Sequence, residues 1–521
     1  MITKERSNEK IQKLLDVLGV ILILLVVHFV VGAFNGKWPW SGNPYNSYAL
    51  QAAAWLDGHL DLGMNIEYLE LAVFEGKYFV SFPPFPSYVL LPFAYFYGSN
   101  TPDGWIAFFA MILGAIYALR IAWEYLGAGA KSVFWTAFLY VGTNVLYITL
   151  DGQVWFIAQS FALTLSLMAI FYAIKGKGGW SLFFWGCSVG CRPLQILYFP
   201  LLFYILYKYL KKECPERTLF SMIKEKFYWA IPVCIIALSY MMLNYARFGS
   251  PLEFGHNYLP EFTREENGQF HPSYVWNNIK SLFRLPTKGE NGVLSFSKFD
   301  GSCIFLVIPM FVSYLIYYIR KFIRRQNIDK MFLIVLPVLV IIHIVALCSH
   351  RTMGGFHFGH RYINDVLPYL YWGVLIFAGT PGRKKVTQTE EELISVEIEE
   401  EMNIQPEEDG TQDNEVFFVA DEIEAEQMDE LESIATSTET LDEENVSDLL
   451  ENSTEDLADF ETTTATTSDN LTEDTTNTIT KTILVEDPEQ TDYTYTLHFA
   501  LCFLGLALNI VGTIATNMGW V

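Results

Sequence analysis

Between Thr387 and Asp492 the chain has almost no bases: one lysine stands against 36 acidic residues. The same stretch is poor in aromatics and rich in Thr, Asp and Glu. It cannot bury enough apolar surface to offset the entropy of folding, which excludes a packed domain and predicts a disordered acidic insert. The net charge of −24 over 521 residues describes that insert. The remainder holds 33 bases against 22 acids and is basic.

Other absences narrow the class. Seven cysteines, scattered mostly in or near apolar runs, argue against a disulfide framework. Cys187 and Cys191 are spaced for one helix face, but no His or Cys motif accompanies them as a metal site would require. The period-2 alternation of barrel strands is missing. No clear small-residue cleavage site follows the first apolar run, so that run is expected to stay as a helix. No internal repeat of the kind transporters carry is visible.

What is present is apolar length. Hydrophobic residues make up 51% of the chain and aromatics 16%. Many runs approach the roughly 20 residues that cross a bilayer as a helix. The expected fold is an all-α polytopic membrane protein. About eleven spans are expected, at 14–34, 104–125, 133–150, 154–174, 180–191, 194–209, 227–245, 303–319, 331–348, 362–378 and 497–517. The domain plan is a membrane core over 1–386, the insert over 387–492 and a final helix within 493–521.

Bases at Lys4, Arg6, Lys10 and Lys13 put the N-terminus in the cytoplasm. Lys175 and Lys177, Lys208 to Arg217, Arg320 to Lys330 and Arg383 to Lys385 then fall on the same side. The insert is cytoplasmic in this scheme and the C-terminus extracytoplasmic. The segment from Pro84 to Tyr97 is too short to span and reads as a helix lying in the outer interface. The outer loops are 35–103, 247–302 and 349–361, and the informative polar motifs fall on this face.

The first outer loop carries Asp57, Asp61, Glu70 and Lys77. Such carboxylates suit a general base or a divalent cation; the plainer reading is solvated loop charges or helix caps. Arg192 precedes Pro193 at a membrane boundary, where a guanidinium binds phosphate or simply snorkels. The second loop holds Arg247 and His256 among aromatics, which suits a sugar or headgroup site or an interfacial belt. In the third, His350, His357 and His360 match no standard metal spacing. Arg361 and Asp365 are four apart, which on an α-helix is one face, as a structural ion pair or as a phosphate-binding Arg oriented by an Asp.

A first outer loop with an acidic cluster, then a Pro-Pro interface helix, then about eleven spans, resembles glycosyltransferases of the type C fold. That group includes the protein O-mannosyltransferases and the lipid A aminoarabinose transferases. Phe82-Pro83-Pro84-Phe85-Pro86-Ser87 is similar to the group's Pro-Pro-Leu segment. Arg247-Phe248-Gly249-Ser250 with Glu253-Phe254-Gly255, and Gly354-Gly355 with Phe358-Gly359-His360-Arg361-Tyr362, resemble segments of uncharacterised bacterial members. The likeness covers about 1–380 and the last helix.

The resemblance implies transfer of a sugar from a polyprenyl-phosphate donor to an extracytoplasmic hydroxyl. The acceptor would be an envelope polymer, lipid or protein; no nucleic-acid partner is expected. The group's usual Asp-Glu pair is absent, its place being taken by Asn43-Pro44-Tyr45-Asn46-Ser47-Tyr48. The base then falls to Glu70, Asp61 or Asp57, and substrate binding to Lys77, Arg192, Arg247, His256, Arg361 and Asp365. A divalent cation, where one is used, would sit on the first-loop acids. The alternatives are a transporter or flippase of lipid-linked material and a non-catalytic relative in envelope assembly.

Overall fold

A computed structural model describes residues 2–288, 294–297, 299, 301–323, 328–355, 357–379, 383–389, 480–486 and 494–518. Met1–Arg383 with Glu486–Val521 forms one compact unit, and Lys384–Val485 a second. Arg383–Thr389 and Thr480–Glu486 pair as a two-stranded sheet. The expected disorder of the insert otherwise concerns residues outside the described set.

The first unit is helical. Among its described residues seven helical stretches are long and apolar enough to cross a membrane: Ser7–Asn35, Asp103–Leu126, Val154–Ile174, Pro193–Glu213, Phe227–Phe248, Met331–Cys348 and Tyr495–Thr516. The other four expected spans are helical but shorter or broken. One is split into Ala130–Val141 and Val145–Ile148 around Gly142 and Asn144. One is only Gly178–Val189. One is interrupted ahead of Pro309, which has no N–H to continue a helix, leaving Ile304–Val307 and Met310–Ile323. The last joins a 3₁₀ turn, Arg361–Val366, to Leu367–Gly379.

The core is built where these helices meet. Trp135, Phe138, Tyr140, Tyr369, Tyr371 and Trp372 are fully buried there. The helix that follows the insert, Thr494–Met518, packs into this core. Its Gly505 lies against the Gly142 carbonyl, in a space that a Cβ would fill.

The loop after the first helix has its own architecture. Helix α1 (Ile2–Asn35) leads to α2 (Ser47–Leu56), then to strands β1 (Leu71–Phe74) and β2 (Lys77–Val80), which form an antiparallel hairpin. Helix α3 (Phe85–Tyr97) starts with Pro86 in its first turn, where the missing N–H costs no hydrogen bond. Its Ser87 hydroxyl donates to the Tyr48 carbonyl at 3.1 Å and to Gln51 Oε1 at 2.8 Å, tying it to α2. One face, with Leu90 and Ala94, is buried; Tyr95 and Phe96 on the other are more than 70% exposed. The helix is thus buried on one face and exposed on the other.

Candidate functional site

A cavity of about 290 Å³ opens where residues of the three long loops expected on the outer face meet. Tyr48 and Phe82 come to it from the first loop, His256 and Phe270 from the second, and His350, Arg361 and Tyr362 from the third. Trp155, at the start of the helix Val154–Ile174, and Arg192, after Gly178–Val189, complete the wall.

Asp365 lies at its base and is nearly inaccessible. Its Oδ2 accepts from Arg192 Nε at 2.7 Å, and its backbone carbonyl accepts from Gln195 Nε2 at 2.8 Å. Gln159 Nε2 donates to the Arg361 carbonyl at 2.6 Å and reaches Asp365 Oδ1 at 3.4 Å. Arg361 turns the other way. Its Nε and Nη2 donate to the Gly354 carbonyl at 2.8 and 2.7 Å. Gly354 has φ +113, and a Cβ there would stand 2.8 Å from Arg361 Nε, so only glycine fits. Arg361 therefore does not pair with Asp365. The segment is a 3₁₀ turn, in which positions three apart align rather than positions four apart.

Both guanidinium groups lie against the Tyr362 ring, with Arg192 Cζ 4.7 Å and Arg361 Cζ 4.6 Å from its centre. Among the described residues no carboxylate lies within ion-pair distance of Arg361, and its Nη1 makes no hydrogen bond. Both cavity histidines are neutral at physiological pH. Burial lowers His350 to about 3 and His256 to about 4. The Ser81 carbonyl sits 2.7 Å from His256 Nδ1, and the Thr352 carbonyl 2.6 Å from His350 Nδ1. The charged groups on the wall are thus two cations and one anion. The balance of charge on the wall is positive, and the rest of it is largely aromatic and apolar.

The remaining sequence candidates lie elsewhere. Glu70 is half-buried beside the cavity residue Trp155, its Oε2 accepting from Trp155 Nε1 at 2.9 Å. Asp61 accepts from the Gly63 amide at 3.1 Å within its own turn. Asp57 caps the end of α2 and is exposed. Lys77 is exposed at the start of β2. None of these four lines the cavity; Glu70 alone bonds to a residue that does. Arg247 is buried outside it, donating to the Val80 carbonyl at 3.1 Å and to Asn244 Oδ1 at 2.9 Å. It pins the hairpin to the membrane helix. Trp155, Gln159 and Gln195 were not expected as site residues; the four-residue spacing of Trp155 and Gln159 on one helix face is the signal that points to the first two.

Among the described residues no group of three or more His, Cys, Asp or Glu could hold a metal ion. Asp57, Asp61 and Glu70 do not converge, so they do not fit a divalent cation.

No family model matches the chain. No curated protein matches it. Among solved structures it is similar to ArnT from Cupriavidus metallidurans in the apo state, at 14% identity and a TM-score of 0.38, over 69% of this chain and 58% of that one. The same protein bound to undecaprenyl phosphate gives 14% identity and a TM-score of 0.40, over 69% and 59%. The chain therefore spans less than two thirds of the length of the ArnT it matches.

Proposed function

We propose that the chain is a membrane-embedded glycosyltransferase that moves a sugar from a polyprenyl-phosphate donor to an acceptor hydroxyl on the extracytoplasmic side. The observation that carries the reading is the pair of guanidinium groups against the Tyr362 ring, of which only Arg192 is paired with a buried carboxylate, Asp365. Arg361 Nη1 and the Nη atoms of Arg192 are the donors left for a phosphate. Asp365 orients Arg192, and Gln159 and Gln195 hold Asp365 and its backbone.

In the proposed reaction the acceptor hydroxyl gives its proton to Glu70 and attacks the anomeric carbon. The bond from that carbon to the phosphate oxygen breaks, and polyprenyl phosphate leaves carrying the electron pair, its charge met by Arg361 and Arg192. Glu70 has Oε2 fixed by Trp155, which leaves Oε1 to take the proton. The acceptor is an envelope polymer, lipid or protein.

The deciding experiment is binding of polyprenyl phosphate to the purified chain, wild type against Arg361→Ala and Arg361→Lys. Loss of a charge-assisted contact should weaken binding by roughly ten-fold or more in the alanine variant and by less in the lysine variant. Binding indifferent to both changes would remove the donor site.

A further inference from the structure

The helix Val154–Ile174 starts at the cavity wall and runs 21 residues away from it. At 1.5 Å per residue that is about 30 Å, the hydrocarbon thickness of a bilayer. What packs around its far end therefore lies at the opposite membrane boundary.

There Gly178 opens the helix Gly178–Val189, and the Trp229 ring lies directly against it. A Cβ at Gly178 would overlap the indole. One groove of about 500 Å³ is lined by Trp229 together with Trp180, Phe183 and Lys177. A second, of about 190 Å³, is lined by Trp229 together with Phe203, Leu206, Met222 and Lys226. Trp229 is shared by both. Each groove has apolar walls and a single lysine.

The two lysines differ in their pairing. Lys177 is exposed and makes no ion pair among the described residues. Lys226 Nζ stands 6.0 Å from the Trp229 ring and 2.9 Å from Glu225 Oε1. Arg217 binds the same carboxylate, so two cations share one anion.

We propose that this is a binding site for an anionic diacyl phospholipid. Its two acyl chains lie in the two grooves astride Trp229, and its phosphate sits between Lys177 and Lys226. Apolar grooves at a bilayer boundary take hydrocarbon, and two grooves meeting at one residue match two chains on one headgroup. The lysine in each groove selects a headgroup with net negative charge over a zwitterionic one. Exposed Trp180 and Tyr228 frame the site at headgroup level, where aromatic side chains settle. The site is separate from the cavity and does not depend on the transferase reading.

The test is native mass spectrometry of the purified full chain, delipidated and titrated with phosphatidylglycerol or phosphatidylcholine. Phosphatidylglycerol should be retained roughly ten-fold better. The double variant Lys177→Gln/Lys226→Gln should lose that preference. Lys212→Gln/Lys224→Gln, which removes two exposed cations outside the grooves, should keep it. Equal retention of the two lipids by the wild type would overturn the proposal. So would a preference that survives the first pair of changes, or that falls equally with the second and so reports only diffuse attraction.

Discussion

Arg192 and Asp365 stand 173 positions apart in the chain and meet at 2.7 Å, with the carboxylate almost wholly enclosed. The pair joins the turn after one short helix to the 3₁₀ turn that begins another. Breaking one side of a buried pair strands the other charge. Asp365→Ala should cost about 3 kcal/mol of stability. The double variant Arg192→Ala/Asp365→Ala should recover part of that loss. Thermal melting in detergent measures both, and strictly additive losses would show that the two residues are not coupled.

Arg247 and Arg361 should separate in their effects. Arg247 bonds only to protein groups, at the Val80 carbonyl and Asn244. Arg247→Ala should lower stability by about 2 kcal/mol, the worth of buried hydrogen bonds to a charged group. It should leave polyprenyl-phosphate affinity within about two-fold of wild type. A large affinity loss with an unchanged melting temperature would place Arg247 in the binding site instead.

For Glu70 the expected loss is in rate. Glu70→Gln should reduce sugar transfer by roughly 10²- to 10⁴-fold, the usual contribution of a positioned base, while donor binding holds. Trp155→Phe, which removes the indole N–H that fixes the carboxylate, should reduce the rate less, by roughly ten-fold. Assays of transfer beside binding distinguish the two steps, and an unchanged rate in the Glu70 variant would assign the base elsewhere.

Acid should weaken the outer loops. His350 is buried and lowered to about 3, and His360 to about 4, against an ordinary value of 6.5. Above about pH 6.5 both are neutral whether the chain is folded or not, and they add no pH dependence. As pH falls from there toward about 4, the unfolded chain takes up protons that the folded chain refuses, so stability falls. Melting temperature should drop between about pH 7.5 and about pH 4.5, and His350→Asn should flatten the drop. A profile unaffected by that substitution would mean that His350 is already solvated.

The membrane class and most helix positions were legible because apolar run length is a one-dimensional property. The helix Ser47–Leu56 ends at Asp57-Gly58, a turn signal visible in the sequence. The count of full-length spans was not legible. Pro309, Gly142 and Asn144 interrupt runs whose composition alone looks continuous. In the site, Arg192, His256, Arg361 and Asp365 were named from residue type and meet at one cavity. Their partners were not foreseeable, because a 3₁₀ turn changes which neighbours align and sends Asp365 to a residue far away in sequence. Arg247 resembled a ligand-binding arginine because the backbone it holds is visible only after folding. Trp155 escaped notice because it sits inside an apolar run, where a tryptophan reads as core.

The contact between Gly142 and Gly505 has a consequence for biogenesis. A helix encoded after the acidic insert fills a slot within the body encoded before it. The membrane body is therefore left with an open seam until the whole insert has been translated. Such an arrangement is a natural split protein. Two polypeptides cut inside the insert, expressed together, should find each other in the bilayer through that glycine seam, whereas the longer one alone should present its unfilled slot to lipid.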